Sequence, residues 1–220
     1  MAFLLIPRQA ISGTLVILSG QSNMALLDPN EVFIPTVQGK YDDLIFVHDA
    51  DGGQPISEWD DGKRMWLSLT SKIDLSTSGK DVNALVFIWM QGETDAWMEL
   101  SNSYEASVDD LFLRVHGLFP DANVSYVVGR ITDWHLTNTD YPSTDDWIAI
   151  REIQERIGQR SNCFMVNTDD LNSPDDLPHF HGHYDALALR FADALFRLNP
   201  KRLSTLQLIL DSILTKTRDN

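Results

Sequence analysis

Apolar residues fall along this chain in two alternating textures. Thr14-Leu15-Val16-Ile17-Leu18 and Ala84-Leu-Val-Phe-Ile-Trp-Met90 are runs without charge or alternation. Such runs predict strands buried on both faces. Leu44 to His48, Val124 to Val128 and Cys163 to Val166 are shorter runs of the same kind. Between them the spacing turns helical: Met65 to Ile73, Tyr104 to Leu118, Asp145 to Ile157 with Ser143 or Thr144 as cap, and Tyr184 to Leu198. Ala25 to Lys40, holding Pro29 and Pro35, reads as a mixed loop. Strands alternating with helices predict a parallel sheet covered on both faces, a three-layer α/β/α sandwich with ligands beyond the carboxyl ends of the strands. Pro200 breaks the pattern, and Leu203, Leu206, Ile209, Leu210, Ile213 and Leu214 predict a terminal helix over about 201–216. That helix either packs on the body or joins two copies of the chain. A single domain spans 1–220, with its core at about 13–198.

Composition narrows the partners more than the fold. The 220 residues are 43% hydrophobic and 22% charged, enough for one substantial core. A formal charge of -15 argues against nucleic acid and anionic membrane surfaces, both of which would repel the chain. The single cysteine, Cys163, excludes an intramolecular disulfide, and its place at the head of an apolar strand predicts a buried thiol. The apolar start Met1 to Ile6 is broken by Pro7 and Arg8 and lacks a basic flank and a cleavage site, so it does not read as a signal peptide. No run reaches the length of a membrane span, and the compartment is left open.

The first strand runs straight into Ser19-Gly20-Gln21-Ser22-Asn23-Met24, small and amide residues that must turn. A serine on a tight turn at a strand's carboxyl end has its hydroxyl raised clear of the sheet and its N–H directed into the same crevice. This suits a nucleophile whose own N–H binds the oxyanion. Ser22 and Asn23 are also ordinary helix caps, the alternative use of this stretch. Gly20-x-Ser22 matches only half of the G-x-S-x-G elbow, since Met24 stands at the second glycine.

The whole string Ser-Gly-Gln-Ser-Asn-Met resembles the first block of the SGNH hydrolases. Within them it is most similar to the sialate O-acetylesterase-like and family-6 carbohydrate esterases (acetyl xylan esterase-like), which carry G-Q-S-N-M. Three later blocks extend the resemblance over about Thr14 to Leu198. Gly52-Gly53-Gln-Pro-Ile56-Ser-Glu-Trp59 resembles G-G-x-x-I-x-x-W, which implies an oxyanion role for the Gly53 N–H, with Gly52 as the alternative. Gln91-Gly92-Glu93-Thr94-Asp95 resembles Q-G-E-S-D with Thr94 in place of Ser, which implies Gln91 as a third oxyanion donor. Asp176-Leu-Pro-His179 resembles the D-x-x-H block, which implies His179 as base and Asp176 as the acid that orients it. Glu93 is the alternative acid, and Asp95 is expected to meet a helix dipole. The resemblance implies a flavodoxin-like SGNH fold and a serine hydrolase that removes O-acetyl groups from carbohydrate, with no cofactor.

Other residues have their own readings. Trp59 and Trp97, close to two blocks, are candidates for stacking on a sugar ring, although core packing is the commoner fate of tryptophan. His179, His181 and His183 form H-x-H-x-H, a spacing that also serves zinc, but a metal site would leave the Ser22, Gly53 and Gln91 blocks without purpose. His181 is expected to line or flank the site, while His48, His116 and His135 match no motif and read as structural or solvent-facing. Two other functions remain open: an esterase or lipase for other small esters, and a non-catalytic carbohydrate-binding module.

Overall fold

The computed structural model describes residues 12–41, 43–137, 143–172 and 179–198. The expected terminal helix at 201–216, its proposed dimer contact, and Asp175 and Asp176 lie outside the described residues.

Five strands, β1 (Ser12–Gly20), β2 (Leu44–Ala50), β3 (Asp81–Met90), β4 (Asn123–Gly129) and β5 (Cys163–Val166), form one sheet in the order β2-β1-β3-β4-β5. Every pairing is parallel. The central strands β1 and β3 send successive side chains to opposite layers. Leu15, Ile17, Leu85, Phe87 and Trp89 meet α3 (Arg64–Thr77), α5 (Ser101–Leu118) and α7 (Thr144–Gly158). Val16, Leu18, Val86, Ile88 and Met90 meet α1 (Ser22–Leu26), α2 (Phe33–Gln38) and α8 (Tyr184–Leu198). Both layers exclude water, so neither face of these strands tolerates a charge, and this is why they read as unbroken apolar runs. The edge strand β2 is covered less completely and alternates buried with half-buried positions. The fold is thus the three-layer parallel sandwich expected.

Two short helices complete the order, α4 (Glu93–Trp97) and α6 (Trp134–Thr137). The expected loop at 25–40 contains α2, with Pro35 inside it. Pro35 is the third residue of that helix, in the first turn, where a backbone N–H has no intrahelical acceptor, so proline is tolerated there. Cys163 is buried as expected, and burial pushes its thiol up to about 11. Among the described residues no helix is long and apolar enough to cross a membrane.

In a sheet of this order the chain reverses its winding direction between β1 and β3, and the loops leaving these two strands part to opposite faces. The crevice between them is where the sequence blocks converge.

Candidate active site

β1 ends at Gly20, with φ of +147°. A Cβ on this residue would stand 1.9 Å from the carbonyl oxygen of Met90 on β3, so only glycine fits. Gln21 then donates its N–H to that carbonyl at 3.0 Å, and α1 begins with Ser22. Gln21, not Ser22, is the N-cap residue, and its side chain makes no capping bond. Ser22 is therefore free of the capping duty its sequence context also allowed. As the first helical residue, its N–H has no partner four residues back.

The second loop leaves β2. A Cβ added at Gly52 would come 3.6 Å from Ser22 Cβ, so this turn lies against the serine. Gly53 follows at φ +69°, a backbone region glycine enters without strain. The third loop leaves β3 through Gly92, at φ +145°, into α4. Side chains tie the loops to one another. Asp95 accepts the Ile56 N–H at 2.9 Å, and Gln21 Oε1 accepts the Thr94 N–H at 3.2 Å. Asn23 donates to Glu93 Oε1 at 2.8 Å and accepts from the Tyr184 hydroxyl of α8 at 3.1 Å.

Together these loops wall a cavity of about 290 Å³ lined by Gln21, Ser22, Gly53, Glu93, Thr94, Trp97 and His179. Ser22, Gly53 and His179, widely separated in sequence, thus face one space. His179 is half-buried, and its pKa lies below the usual histidine value, first because burial disfavours the imidazolium and second because His181 repels it. The His181 ring is 5.5 Å away, on the exposed side. Glu93 is buried, and loss of solvent pushes its carboxyl up to about 7, against the bonds that favour its charged form. Neighbouring Asp95 adds a smaller push in the same direction.

Two candidates stand elsewhere. Gln91 is fully buried and absent from the cavity lining. Its amide nitrogen donates to the Gln54 carbonyl at 3.1 Å and to the Asp95 carboxylate, which uses both of its hydrogens. In this arrangement Gln91 holds the Gly53 loop from beneath rather than offering a donor to the cavity. Trp59 is fully buried, edge-on to Trp89 at 4.8 Å, with its indole N–H donated to Ser19. It is a core residue and offers no face to a sugar. Asp95 lies in the first turn of α4, where its charge meets the helix dipole as expected, and it is also the buried link between two loops. Gln21, Asn23 and Thr94 carry no chemistry legible in the sequence, yet they fix the walls. Among the described residues no three His, Cys, Asp or Glu side chains converge as metal ligands.

A family profile described as carbohydrate esterase, sialic acid-specific acetylesterase, matches residues 27–197, well over half of the chain. The chain belongs to this family. Its activity class is that of a serine hydrolase of the esterase and lipase type on the SGNH fold. No curated protein sequence matches it. Among solved structures, a protein of Arabidopsis thaliana is similar at TM-score 0.67 and 19% identity, covering 84% of this chain and 98% of its own. A carbohydrate acetylesterase from Xanthomonas citri is similar at TM-score 0.64 and 14% identity, covering 84% of this chain and 56% of its own. A lipolytic G-D-S-L family protein of Veillonella parvula gives TM-score 0.57 at 11% identity, covering 84% of this chain and all of its own. At such identities the esterase chain shares a fold with these proteins.

Proposed function

We propose that this protein is a carbohydrate O-acetylesterase that acts through an acetyl-enzyme on Ser22. The observation that supports it is the meeting of Ser22, Gly53 and His179 around one cavity, of a size for an acetyl group and little more than one sugar ring. His179 takes the Ser22 proton as Oγ adds to the acetyl carbonyl, and the N–H groups of Ser22 and Gly53 receive the oxyanion. The tetrahedral adduct collapses, the C–O bond to the sugar breaks, and His179 returns its proton to the departing sugar oxygen. Water then adds to the acetyl-enzyme with His179 again as base, and acetate leaves as the proton returns to Ser22. Gln91, with its amide committed to Gln54 and Asp95, supports the oxyanion loop. Asp176 is the acid assigned to His179.

The described lining holds one carboxyl group, Glu93, and no lysine or arginine, in a chain of charge -15. A neutral acetylated sugar meets no repulsion there, whereas a sialate carboxylate finds no cation to pair with. Acetate release is therefore expected from acetylated xylo-oligosaccharides with kcat/KM about tenfold above that for O-acetyl sialic acid. p-Nitrophenyl acetate is expected to be hydrolysed, with rates collapsing beyond about a butyryl chain as the cavity fills. Rates that climb with chain length, and no acetate from any sugar, would sink this reading in favour of a lipase-type esterase.

The pH profile carries a definite sign. Burial and His181 both favour neutral His179, so the base form persists to lower pH than in a free histidine. kcat/KM is expected to rise through a single ionisation with its midpoint below 6.5 and to level off near neutrality. His181→Ala, which removes the like charge, moves that midpoint upward. A plateau already complete at about pH 5 points to a carboxylate base and away from His179.

A further inference from the structure

The side wall of the cavity presents a second feature that the ester chemistry does not use. Trp97, the last residue of α4, lines the cavity yet is 54% exposed. An exposed tryptophan normally turns freely about its side-chain bonds, and this one does not. Its indole N–H donates to Nε2 of His135 at 3.0 Å. Indole nitrogen only donates, so Nε2 must be the acceptor and His135 a neutral imidazole. Burial favours the same neutral form. His135 is itself fully buried, 4.8 Å from the Trp134 ring at 90° and 4.2 Å from the Trp147 ring at 42°. Trp147 is buried in turn and donates its N–H to Thr132 O at 2.7 Å. The backbone of Trp97 is held as well, its carbonyl accepting from Ser143 Oγ at 3.4 Å. A buried histidine that accepts a bond from an exposed indole makes sense where the angle of that indole matters.

We infer that Trp97 is a preset stacking platform for the pyranose ring of the acetylated substrate, with His135 as the positioning residue that fixes its angle. The inference rests on the carbohydrate reading above. A pyranose offers a face of C–H groups edged by hydroxyls, and a fixed indole beside a nucleophile receives that face without an ordering cost at binding. An acetyl group alone is too short to need it. The platform therefore acts on sugar binding, not on the acyl step.

The test compares KM and kcat for acetylated xylo-oligosaccharide and for p-nitrophenyl acetate in His135→Leu, His135→Gln and Trp97→Phe. His135→Leu removes the acceptor. It is expected to raise KM for the sugar ester about fivefold, with kcat for that ester and all constants for p-nitrophenyl acetate unchanged. His135→Gln, whose side-chain oxygen also accepts, recovers most of the loss. Trp97→Phe keeps an aromatic ring but not the N–H. It raises the sugar KM to a similar extent, and adding His135→Leu to it brings no further loss, because both changes remove one bond. Should His135→Leu fail to fold, the Trp97→Phe and His135→Gln arms still decide. Equal effects on both esters, or no KM change in a folded variant, overturn the platform alone. A Trp97→Phe effect that grows with p-nitrophenyl acyl length instead assigns the indole to the acyl chain and also overturns it. A wild-type protein active on p-nitrophenyl acetate but on no sugar ester removes the carbohydrate reading and the platform together.

Discussion

Ser22→Ala is expected to lower kcat for p-nitrophenyl acetate on the order of 10⁴-fold or more while leaving the melting temperature within a degree or two. The size follows from the role: without Oγ no acetyl-enzyme forms, and only binding and the oxyanion N–H groups are left to act on a bound water. The unchanged stability follows from the position. Ser22 is the first residue of α1 and does not cap it, Gln21 being the N-cap. Alanine is an excellent helix former and leaves no polar partner stranded there. The measurement is steady-state hydrolysis together with labelling by a fluorophosphonate, whose adduct should map to Ser22 in the wild type and vanish in the variant. An adduct on another residue, or a variant that keeps more than about a hundredth of wild-type kcat, refutes the assignment.

The second large effect separates two acids. Asp176→Asn is expected to cost on the order of 10³-fold or more in kcat, through loss of tautomer control and of imidazolium stabilisation. Glu93→Gln is expected to cost far less. Glu93 has one oxygen engaged, Oε1 accepting from Asn23, and burial pushes its carboxyl up to about 7, which disfavours the charged form. An acid that stabilises an imidazolium must be ionised when the proton arrives. Gln can accept the same Asn23 bond, so the wall of the cavity survives the change. If the two losses come out reversed in folded proteins, Glu93 is the orienting acid.

How much of this was legible in the sequence depends on whether a residue's neighbours were local. β1 and β3 are plain because both faces of each are buried, and a strand with no exposed face has no freedom of composition. α2 was hidden because a proline weighs against a helix unless its place in the first turn is known. Ser22 and Gly53 are legible through their blocks, each in a turn next to a strand end, and His179 through a block of its own further from β5. Gln91 was expected to face the oxyanion, but its fate is decided by Gln54 and Asp95, which a strand-end reading cannot pair with it. Trp59 and Trp97 have similar sequence surroundings, yet one is sealed against Trp89 and the other stands exposed at the cavity. His135 matches no motif, and its meaning comes only from the indole it meets across 38 positions of chain.

The loops of the site are laced to each other across the ends of the strands. Asp95 joins the β3 loop to the β2 loop, Gln21 joins the β1 loop to the β3 loop, and Asn23 joins α1 to Glu93 and Tyr184. In the vocabulary of protein engineering these segments form a single cassette. Replacing the Gly52–Ile56 loop of this chain alone with one of a different course strands the Asp95 carboxylate, and replacing the serine loop alone strands Glu93. Each stranded group costs about 1–3 kcal/mol, more where it is charged. Substrate range in this chain is therefore better altered from the rim, at Trp97 and Thr94, than by exchanging whole loops.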